Sequence, residues 1–386
     1  MKARVRTMGR PSRVELQEHN RAKVLAAARD EYAARGFRDA KVDRIAERAG
    51  LTRGAVYSNF PSKRALYFAV LADLAERAPE PPHSEPGRTA RETLGALARA
   101  WVARLPLADT DEQHGPARLG MYVMPEVLAE DRIRRPFAQL MKLDALLLGL
   151  ALEGLRPPGT PTGSLVRVAE AVLTTLHGAS QMAAAAPGFI EPFNVVSACE
   201  QLAGLELNDW WPPPHVITQA WPADEPWSPP GAADAVRGEP ARLVDDGVVA
   251  ILGLHRLEAV EEAVRAAPPG ATVTAVLVTG DPAELAPLAR LAVADLCGCL
   301  RQAFPPSAWP HLQVVFDEAG VLAAAAGVPA VSDGTEAAVR IEASRIVARA
   351  DGRGACHAAA STGEAGGADG AAPEGRTRTP SPKRRG

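Results

Sequence analysis

Residues 42–71 read VDRIAERAGLTRGAVYSNFPSKRALYFAVL, and this stretch decides the fold of the N-terminal part of the chain. Its apolar residues recur at helical spacing until the turn 50–52 (Gly-Leu-Thr), whose threonine can cap the next helix. That next helix is short, because Pro61 restarts the chain. Val56 and Phe60 lie four residues apart and should both point inward. The stretch therefore predicts two short helices joined by a glycine-containing turn, which is a helix-turn-helix.

A longer helix should precede this pair. We expect it to begin near Glu18 and to end at Gly36, after which Phe37 can fold back onto its apolar face. The second helix of the domain follows Lys41. A lysine cannot cap a helix N-terminus, so Asp39 is the candidate cap.

The outward face of the third helix carries the side chains that can meet DNA. The second member of a helix-turn-helix enters the major groove, where Arg53 could read a guanine edge through a bidentate pair. Tyr57 and Lys63 are better placed for phosphates, since Lys63 stands in the first turn of the fourth helix. The candidate DNA contacts are Arg44, Thr52, Arg53, Gly54, Tyr57, Ser58, Asn59 and Lys63.

Over residues 18–77 the sequence resembles the DNA-binding signature of TetR-type repressors. The positions that match by type include Ala46, Ala49, Gly50, Gly54, Tyr57, Phe60, Lys63 and Leu66. One position departs, because the family usually starts its second helix with Thr or Ser where this chain has Lys41. The resemblance implies base contacts from the third helix and phosphate contacts from Tyr57 and Lys63. It also implies a second domain that dimerises and holds a ligand, and repression as the mode of action.

The charge distribution also points to a polyanionic partner. The whole chain of 386 residues has a formal net charge of −3. Residues 1–78 carry 17 Lys and Arg against 9 Asp and Glu, a balance of +8, so the remainder carries −11. A basic head on an acidic body predicts that the head meets nucleic acid.

Changes in composition divide the chain into several segments. Two of the boundaries are proline-rich, at 79–87 and at the Pro/Trp-rich segment 208–240, where proline excludes helix and central strand. The predicted segments are a helix-turn-helix domain at 10–78, a helical ligand and dimerisation domain at 88–205, a linker at 208–240, an α/β domain at 242–352 and a disordered tail at 353–386. The tail is expected to be disordered because no Leu, Ile, Val or Phe follows Ala350.

The helical domain should contain helices around 94–104, 119–129, 136–155, 165–186 and 193–205. The small-residue-rich stretch 165–186 suits a helical dimer interface, and a two-fold dimer would bind a palindromic operator. A small apolar effector would need an adaptable pocket of methionine and aromatic side chains. The candidates for that pocket are Trp101, Met121, Tyr122, Met124, Phe137, Met141 and His177, each of which could equally be core.

Short β-branched runs at 247–254, 271–278 and 312–316 alternate with helical stretches, which predicts an α/β unit with a largely parallel sheet. From residue 314 onward the sequence resembles the end of thioredoxin-like domains, particularly the peroxiredoxin-like kind. That fold acts through a thiolate at a helix N-terminus. Here no cysteine follows the first strand, where His255 stands, and Glu336 replaces the usual proline.

The remaining composition restricts the class of protein. No apolar run long enough for a membrane span occurs, and no secretory signal is recognisable, so we expect a cytoplasmic protein. The cysteines form no disulfide framework, metal pattern or CxxC motif, and no catalytic group, metal or cofactor is predicted. Cys297 and Cys299 lie two residues apart in a helical run, on different faces.

Three hypotheses follow. The first is a dimeric, ligand-responsive repressor, which is not an enzyme and carries a degenerate thioredoxin-like appendage. The second is a thiol-redox enzyme or sensor that uses Cys297 or Cys299. In the third, the α/β unit only binds a partner protein or stabilises the dimer.

Overall fold

The structure is a computed structural model that describes residues 12–78, 86–106, 119–157, 163–207, 216 and 218–362. Four helices form the N-terminal head: α1 (Arg13–Asp39), α2 (Val42–Ala49), α3 (Arg53–Asn59) and α4 (Lys63–Glu76). The predicted helix-turn-helix is confirmed as α2 and α3. Gly50 between them adopts a φ of 66°, a conformation that glycine reaches without strain.

The first helix begins earlier than expected. Its N-terminus is a capping box in which Ser12 and Glu15 each accept a hydrogen bond from the other's backbone, so the start near Glu18 is wrong. Gly36 has a φ of 73° and interrupts the helix where expected. Lys41 occupies the N-cap of α2 and no side chain caps that helix, so Asp39 does not fill the role.

The helical body confirms the predicted helices, with shifted ends. It consists of α5 (Ala90–Val102), a 3-10 turn (Gly120–Tyr122), α6 (Val123–Leu128), α7 (Asp131–Gly154), α8 (Val166–Ala185) and α9 (Pro192–Leu202). The helix α7 starts five residues earlier than predicted, because Pro136 is accommodated inside it instead of beginning it.

The C-terminal unit is a six-stranded sheet with helices. Its strands are β1 (Trp221–Pro226), β4 (Gly247–Gly253), β5 (Thr272–Val278), β6 (Leu312–Phe316), β7 (Glu336–Glu342) and β8 (Arg345–Asp351), and the short β2 (Ala233–Asp234) and β3 (Glu239–Pro240) form a separate hairpin. The helices are α10 (Ala259–Ala266), α11 (Pro282–Ala303), α12 (Val321–Ala325) and α13 (Ala355–Ser361), with a 3-10 turn at Pro306–Ala308.

The sheet is mixed, which corrects the expectation of a largely parallel one. The strand order is β1-β8-β7-β4-β5-β6. Only the pairs β4/β5 and β5/β6 are parallel, and the other three pairs are antiparallel. The β7–β8 hairpin causes the difference, since it adds to the open side of β4 in the opposite direction.

The segment 208–240 is not a linker over its whole length. Its last twenty residues include β1, which pairs with β8 at the edge of the sheet, where proline is tolerated. Trp227 is buried there, and its indole N–H donates to the Leu243 carbonyl at 2.7 Å. Residues 208–215 and 217 lie outside the described residues.

The expected disordered tail begins with a packed helix. Residues 355–361 form α13, in which Ala355, Cys356 and Ala359 are fully buried. The prediction was wrong because it required large apolar side chains, whereas alanine and cysteine bury well where a helix approaches a sheet closely. Residues 363–386 of the predicted tail lie outside the described part of the chain.

The long helix α11 joins the C-terminal unit to the rest of the molecule. The helix α11 packs against α4, α5 and α7. Its buried side chains also belong to the same hydrophobic cluster as those of β4, β5 and β6. As a result, one continuous hydrophobic core runs from Val24 in the head to Ala360 in α13. The three predicted units therefore share a core instead of being separated by linkers.

Within the described residues, no helix is both long enough and apolar enough to cross a membrane.

Candidate nucleic-acid interface

The second helix of the helix-turn-helix, α3, is held by its buried face and capped at its start. Val56 and Phe60 are each 1% exposed, as their spacing predicts. Thr52 accepts a hydrogen bond from the Ala55 backbone N–H at 3.2 Å, which satisfies one of the free donors of the first turn. Arg21 reaches from α1 to the other end of α3, with its guanidinium 4.4 Å above the Phe60 ring and donating to the Asn59 carbonyl. These contacts fix the orientation of α3 relative to α1 and the core of the head.

Arg53 stands at the start of the outward face. Its side chain is 62% exposed, and Nη1 lies 3.4 Å from Oδ1 of Asp43. Its guanidinium carbon is 5.6 Å from the centre of the Tyr57 ring, which is itself exposed. An exposed ion pair of this kind is weak, so a guanine edge could replace Asp43 as the partner of Arg53. Asp43 was not among the predicted contacts, yet it orients the side chain that was.

The neighbouring candidate DNA contacts differ in their exposure and in the partners that they already have within the protein. Gly54 and Ser58 are exposed on α3, and an added Cβ at Gly54 would meet nothing closer than 3.9 Å, so the backbone there is open to close approach. The Asn59 amide is turned inward, since it donates to the Ala55 carbonyl at 2.8 Å. Arg44 on α2 pairs with Glu47 at 3.4 Å and remains solvent-exposed.

Lys63 opens α4 beside α3. Its ammonium donates to the Arg38 carbonyl at 3.0 Å and lies 4.8 Å above the Phe37 ring. Partial burial lowers the pKa of Lys63, and the nearby Glu126 and Asp39 oppose that shift. These contacts hold the lysine in one place, next to the outward backbone N–H groups of the first turn of α4.

A buried carboxylate that sequence reasoning missed ties α1 to α2. Glu31 is 1% exposed and lies 3.2 Å from Arg35 and 3.4 Å from Arg48. Its position on the inward side of α1 could have been read from the helical period, but its partner Arg48 is seventeen residues away.

Comparison with known proteins agrees with this geometry. Residues 24–70 match the family model described as "Bacterial regulatory proteins, tetR family". These residues form a TetR-type helix-turn-helix.

Two curated relatives extend the likeness to named proteins. YdgC of Bacillus subtilis (strain 168), an uncharacterized HTH-type transcriptional regulator, is 27% identical over 124 residues, which are 32% of this chain and 62% of YdgC. The HTH-type transcriptional regulator SrpR of Pseudomonas putida is 43% identical over 65 residues, which are 17% of this chain and 30% of SrpR. The chain thus spans less than two thirds of the length of either relative.

Among solved structures, this chain is similar to a TetR transcriptional regulator from Rhodococcus sp. RHA1. The alignment covers 49% of this chain and 95% of that one, with 19% identity and a TM-score of 0.34.

Behind the TetR-type head, three of the seven predicted pocket residues come together in the helical body. The ring centres of Trp101 and His177 are 5.0 Å apart, and that of Phe137 is 6.4 Å from His177. The Trp101 indole donates to the Ser180 hydroxyl at 2.9 Å. Burial lowers the pKa of His177 to about 4, so its ring is neutral at pH 7.

The other four candidates for the pocket lie outside this aromatic cluster. Tyr122 packs against the head, 6.1 Å from the Phe37 ring and 5.5 Å from the Arg38 guanidinium. Met121 and Met124, in the same segment, are half-buried, and Met141 packs partly buried against the main core. The seven residues therefore do not line one pocket, because 121–124 lies at the seam between the body and the head.

The cysteines of the chain are all buried. Cys199, Cys297, Cys299 and Cys356 are at most 1% exposed. Burial raises the pKa of every one of these thiols, to about 11 for Cys199 and Cys299. A reactive cysteine needs an accessible thiolate, so the arrangement favours structural thiols over redox chemistry.

An ion pair lies at the carboxyl end of β4, where a CxxC motif would stand in an active thioredoxin-like domain. Arg256 Nε donates to Glu336 Oε2 at 2.8 Å, and Glu336 Oε1 accepts from the Gly354 backbone N–H at 2.8 Å. His255 beside them is half-buried, and burial lowers its pKa. No group of three or more metal-ligating side chains occurs in the described ranges.

These thiols give the first testable prediction. We expect none of the four cysteines to react with a thiol reagent such as DTNB within minutes in the native protein, because burial keeps them protonated and inaccessible. All four should react in denaturant. Absorbance of the released thiolate measures the number of reactive thiols in the native protein and in denaturant. Reaction of one or two thiols within minutes in the native protein would contradict their structural role.

Proposed function

We propose that this protein is a DNA-binding transcriptional regulator that acts as a homodimeric repressor and responds to a small apolar effector. The observation that carries the proposal is the capped recognition helix α3, which exposes Arg53 and Tyr57 beside the held ammonium of Lys63. The positive balance of the first 78 residues adds an attraction to DNA that does not depend on sequence.

An exposed apolar face on the helical body supports the dimer. Met182 on α8 is 39% exposed, Phe189 between α8 and α9 is 69% exposed, and Phe193 in the first turn of α9 is 72% exposed. The small exposed residues Gly178 and Ala185 on the same helix would let a second copy approach closely. A two-fold dimer built on this face would present two recognition helices to two inverted half-sites.

The cluster of Trp101, Phe137 and His177 supports an effector site in the helical body. It combines aromatic faces with a neutral imidazole and a nearby serine hydroxyl, the mixture that binds a mostly apolar molecule with one or two polar groups. An effector that binds one spacing of the two heads more tightly would shift the dimer towards that spacing.

For the C-terminal unit we propose a thioredoxin-like fold that has lost its redox chemistry. Three parallel strands, β4 to β6, followed by the antiparallel β7–β8 hairpin and a helix support that assignment. The ion pair of Arg256 and Glu336 at the carboxyl end of β4, together with the buried thiols, supports the loss of disulfide exchange.

Lys63 provides the test of DNA binding that does not require knowledge of the operator. We expect Lys63→Ala to weaken binding to all DNA sequences alike, because the lysine neutralises a phosphate. The slope of log affinity against log salt should fall by about one. Fluorescence anisotropy with a mixed-sequence 30-base-pair duplex at several salt concentrations measures both quantities.

Lys142→Ala is the matched control, since Lys142 lies on α7 and pairs with Glu258 far from α3. It should bind the duplex as the unmodified protein does. If the unmodified protein shows no salt-dependent binding, or if both lysine variants behave alike, DNA binding by this face is wrong.

A further inference from the structure

Three helix N-termini meet where the C-terminal unit touches the head, and the buried carboxylate of Glu284 lies at their junction. The helices are α4 of the head, α7 of the body and α11 of the C-terminal unit. Glu284, in the first turn of α11, is 3% exposed. Its Oε1 accepts from Nε and Nη2 of Arg64 at 3.0 and 2.7 Å, and its Oε2 accepts from the Ser62 hydroxyl at 2.7 Å. One side chain of the C-terminal unit therefore holds two residues of the head.

The two residues that it holds define the start of α4. Ser62 is the N-cap of α4, and its oxygen accepts from the Ala65 backbone N–H at 2.9 Å. A hydroxyl has one hydrogen, so donation to Glu284 leaves the oxygen lone pairs free to cap the helix. Arg64 is buried and its guanidinium is fixed by the same carboxylate. Lys63 lies between them in the chain, so the two residues that Glu284 holds flank the lysine that we propose contacts phosphate.

The surrounding charges complete the junction. Arg64 also donates from Nη1 to Glu130 Oε1 at 2.9 Å, and Arg132 donates to the other oxygen of Glu130 at 2.6 Å. Hydrogen bonds from these two arginines lower the pKa of Glu130 to about 2. Arg132 also approaches Glu284 at 3.6 Å. Arg132 further lies 4.0 Å from Asp281, so three carboxylates surround two guanidiniums across the three helices.

A buried ion pair of this kind contributes little net stability, because desolvation offsets the attraction. Its directional hydrogen bonds do fix geometry, since the Arg64 guanidinium and the Ser62 hydroxyl are both oriented by Glu284. Apolar packing already joins α4 to α11, so the cluster is not needed to hold the two helices together. Its role is instead to orient the side chains at the start of α4.

We infer that Glu284 is a positioning residue for DNA binding. Through this carboxylate, the C-terminal unit fixes the conformation of the first turn of α4 and thereby the position of the Lys63 side chain. The inference rests on the proposed function, since it requires Lys63 to meet DNA phosphate. It gives the C-terminal unit a direct role in DNA affinity without any contact between that unit and DNA.

The test is Glu284→Gln in the full chain, with the mixed-sequence 30-base-pair duplex at low salt as the probe. The amide keeps the volume and removes the charge, so we expect affinity to fall about tenfold. Glu76→Gln is the matched control, because Glu76 pairs with Arg290 of α11 at the other end of α4, 2.7 Å away. It should change affinity less than about twofold, although it also removes a carboxylate from the α4–α11 contact.

A double-mutant cycle separates positioning from a general loss of stability. In the Glu284→Gln background, Lys63→Ala should weaken binding much less than in the unmodified protein, because Lys63 is already misplaced. Equal effects of Lys63→Ala in both backgrounds, or unchanged affinity in Glu284→Gln, would overturn the inference. Should Glu284→Gln fail to fold, Arg64→Lys replaces it, since lysine keeps the charge but loses the forked contact. Failure of the unmodified protein to bind the duplex would instead reject the proposed function.

Discussion

A chain that ends at residue 207 should lose its cooperative fold and its affinity for DNA. The reason lies in α4, where every residue from Arg64 to Ala72 is buried. Successive helical residues are 100° apart, so such a run covers the whole circumference of the helix. The head covers one side of α4, and α11 of the C-terminal unit packs along it as well.

The expected size of the effect follows from the side chains that α4 buries. Each large apolar residue that becomes exposed costs about 1.5–3 kcal/mol. Re-exposure of two such residues, together with loss of the Arg64–Glu284 contact, removes a large part of a typical stability of about 5–15 kcal/mol. Circular dichroism during heating, with DNA binding measured in parallel, tests this.

A chain that ends at residue 362 is the control, because it keeps every described element and should melt as the full chain does. If the chain ending at 207 instead melts cooperatively at the same temperature and binds DNA, the C-terminal unit is an independent appendage. That result would support the third hypothesis, in which the unit serves only a partner protein or the dimer.

The second large effect concerns sequence recognition. Arg53→Ala should reduce the preference of the protein for a selected operator over scrambled DNA, because the arginine at the start of α3 can no longer read a guanine edge. A bidentate contact of this type is worth about 1–3 kcal/mol of discrimination, which is roughly a 5- to 150-fold ratio of affinities. Competition between the selected and scrambled duplexes measures the ratio.

Arg29→Ala removes the same charge from an exposed position on α1 that lies in a shallow cleft with Arg77 near the far end of α4. It should leave the ratio unchanged. Unaltered discrimination in Arg53→Ala would show that α3 does not read the base through this side chain.

The sequence predicted the head well because its signals are local. The turn at Gly50, the cap at Thr52 and the spacing of Val56 and Phe60 all lie within eleven residues, and each specifies one feature of the backbone or core. The capping box of Ser12 and Glu15 was also local and readable, so the misplaced start of α1 was avoidable.

The junction at Glu284 could not be predicted in the same way. Its partners Ser62 and Arg64 are more than 200 residues away, and a glutamate in the first turn of a helix is ordinary on dipole grounds alone. The helix α13 was missed for another reason, since close packing against the sheet uses Ala and Cys356 where composition suggested disorder. Both errors come from tertiary contacts that composition and period do not encode.

Sequence-specific DNA binding by a dimer is tested most directly in two steps. Genomic fragments that bind the full-length protein are first selected, and DNase protection then locates the bound site on them. For a homodimer that binds through α3, we expect a protected site with two inverted half-sites. Their centres should lie about one helical turn of DNA, roughly 34 Å, apart, or a multiple of that distance. Protection should weaken steeply with salt, and its sequence preference should be reduced in Arg53→Ala. Retention of no fragment at low salt, or protection that is the same for Arg53→Ala and the unmodified protein, would contradict sequence-specific binding through α3.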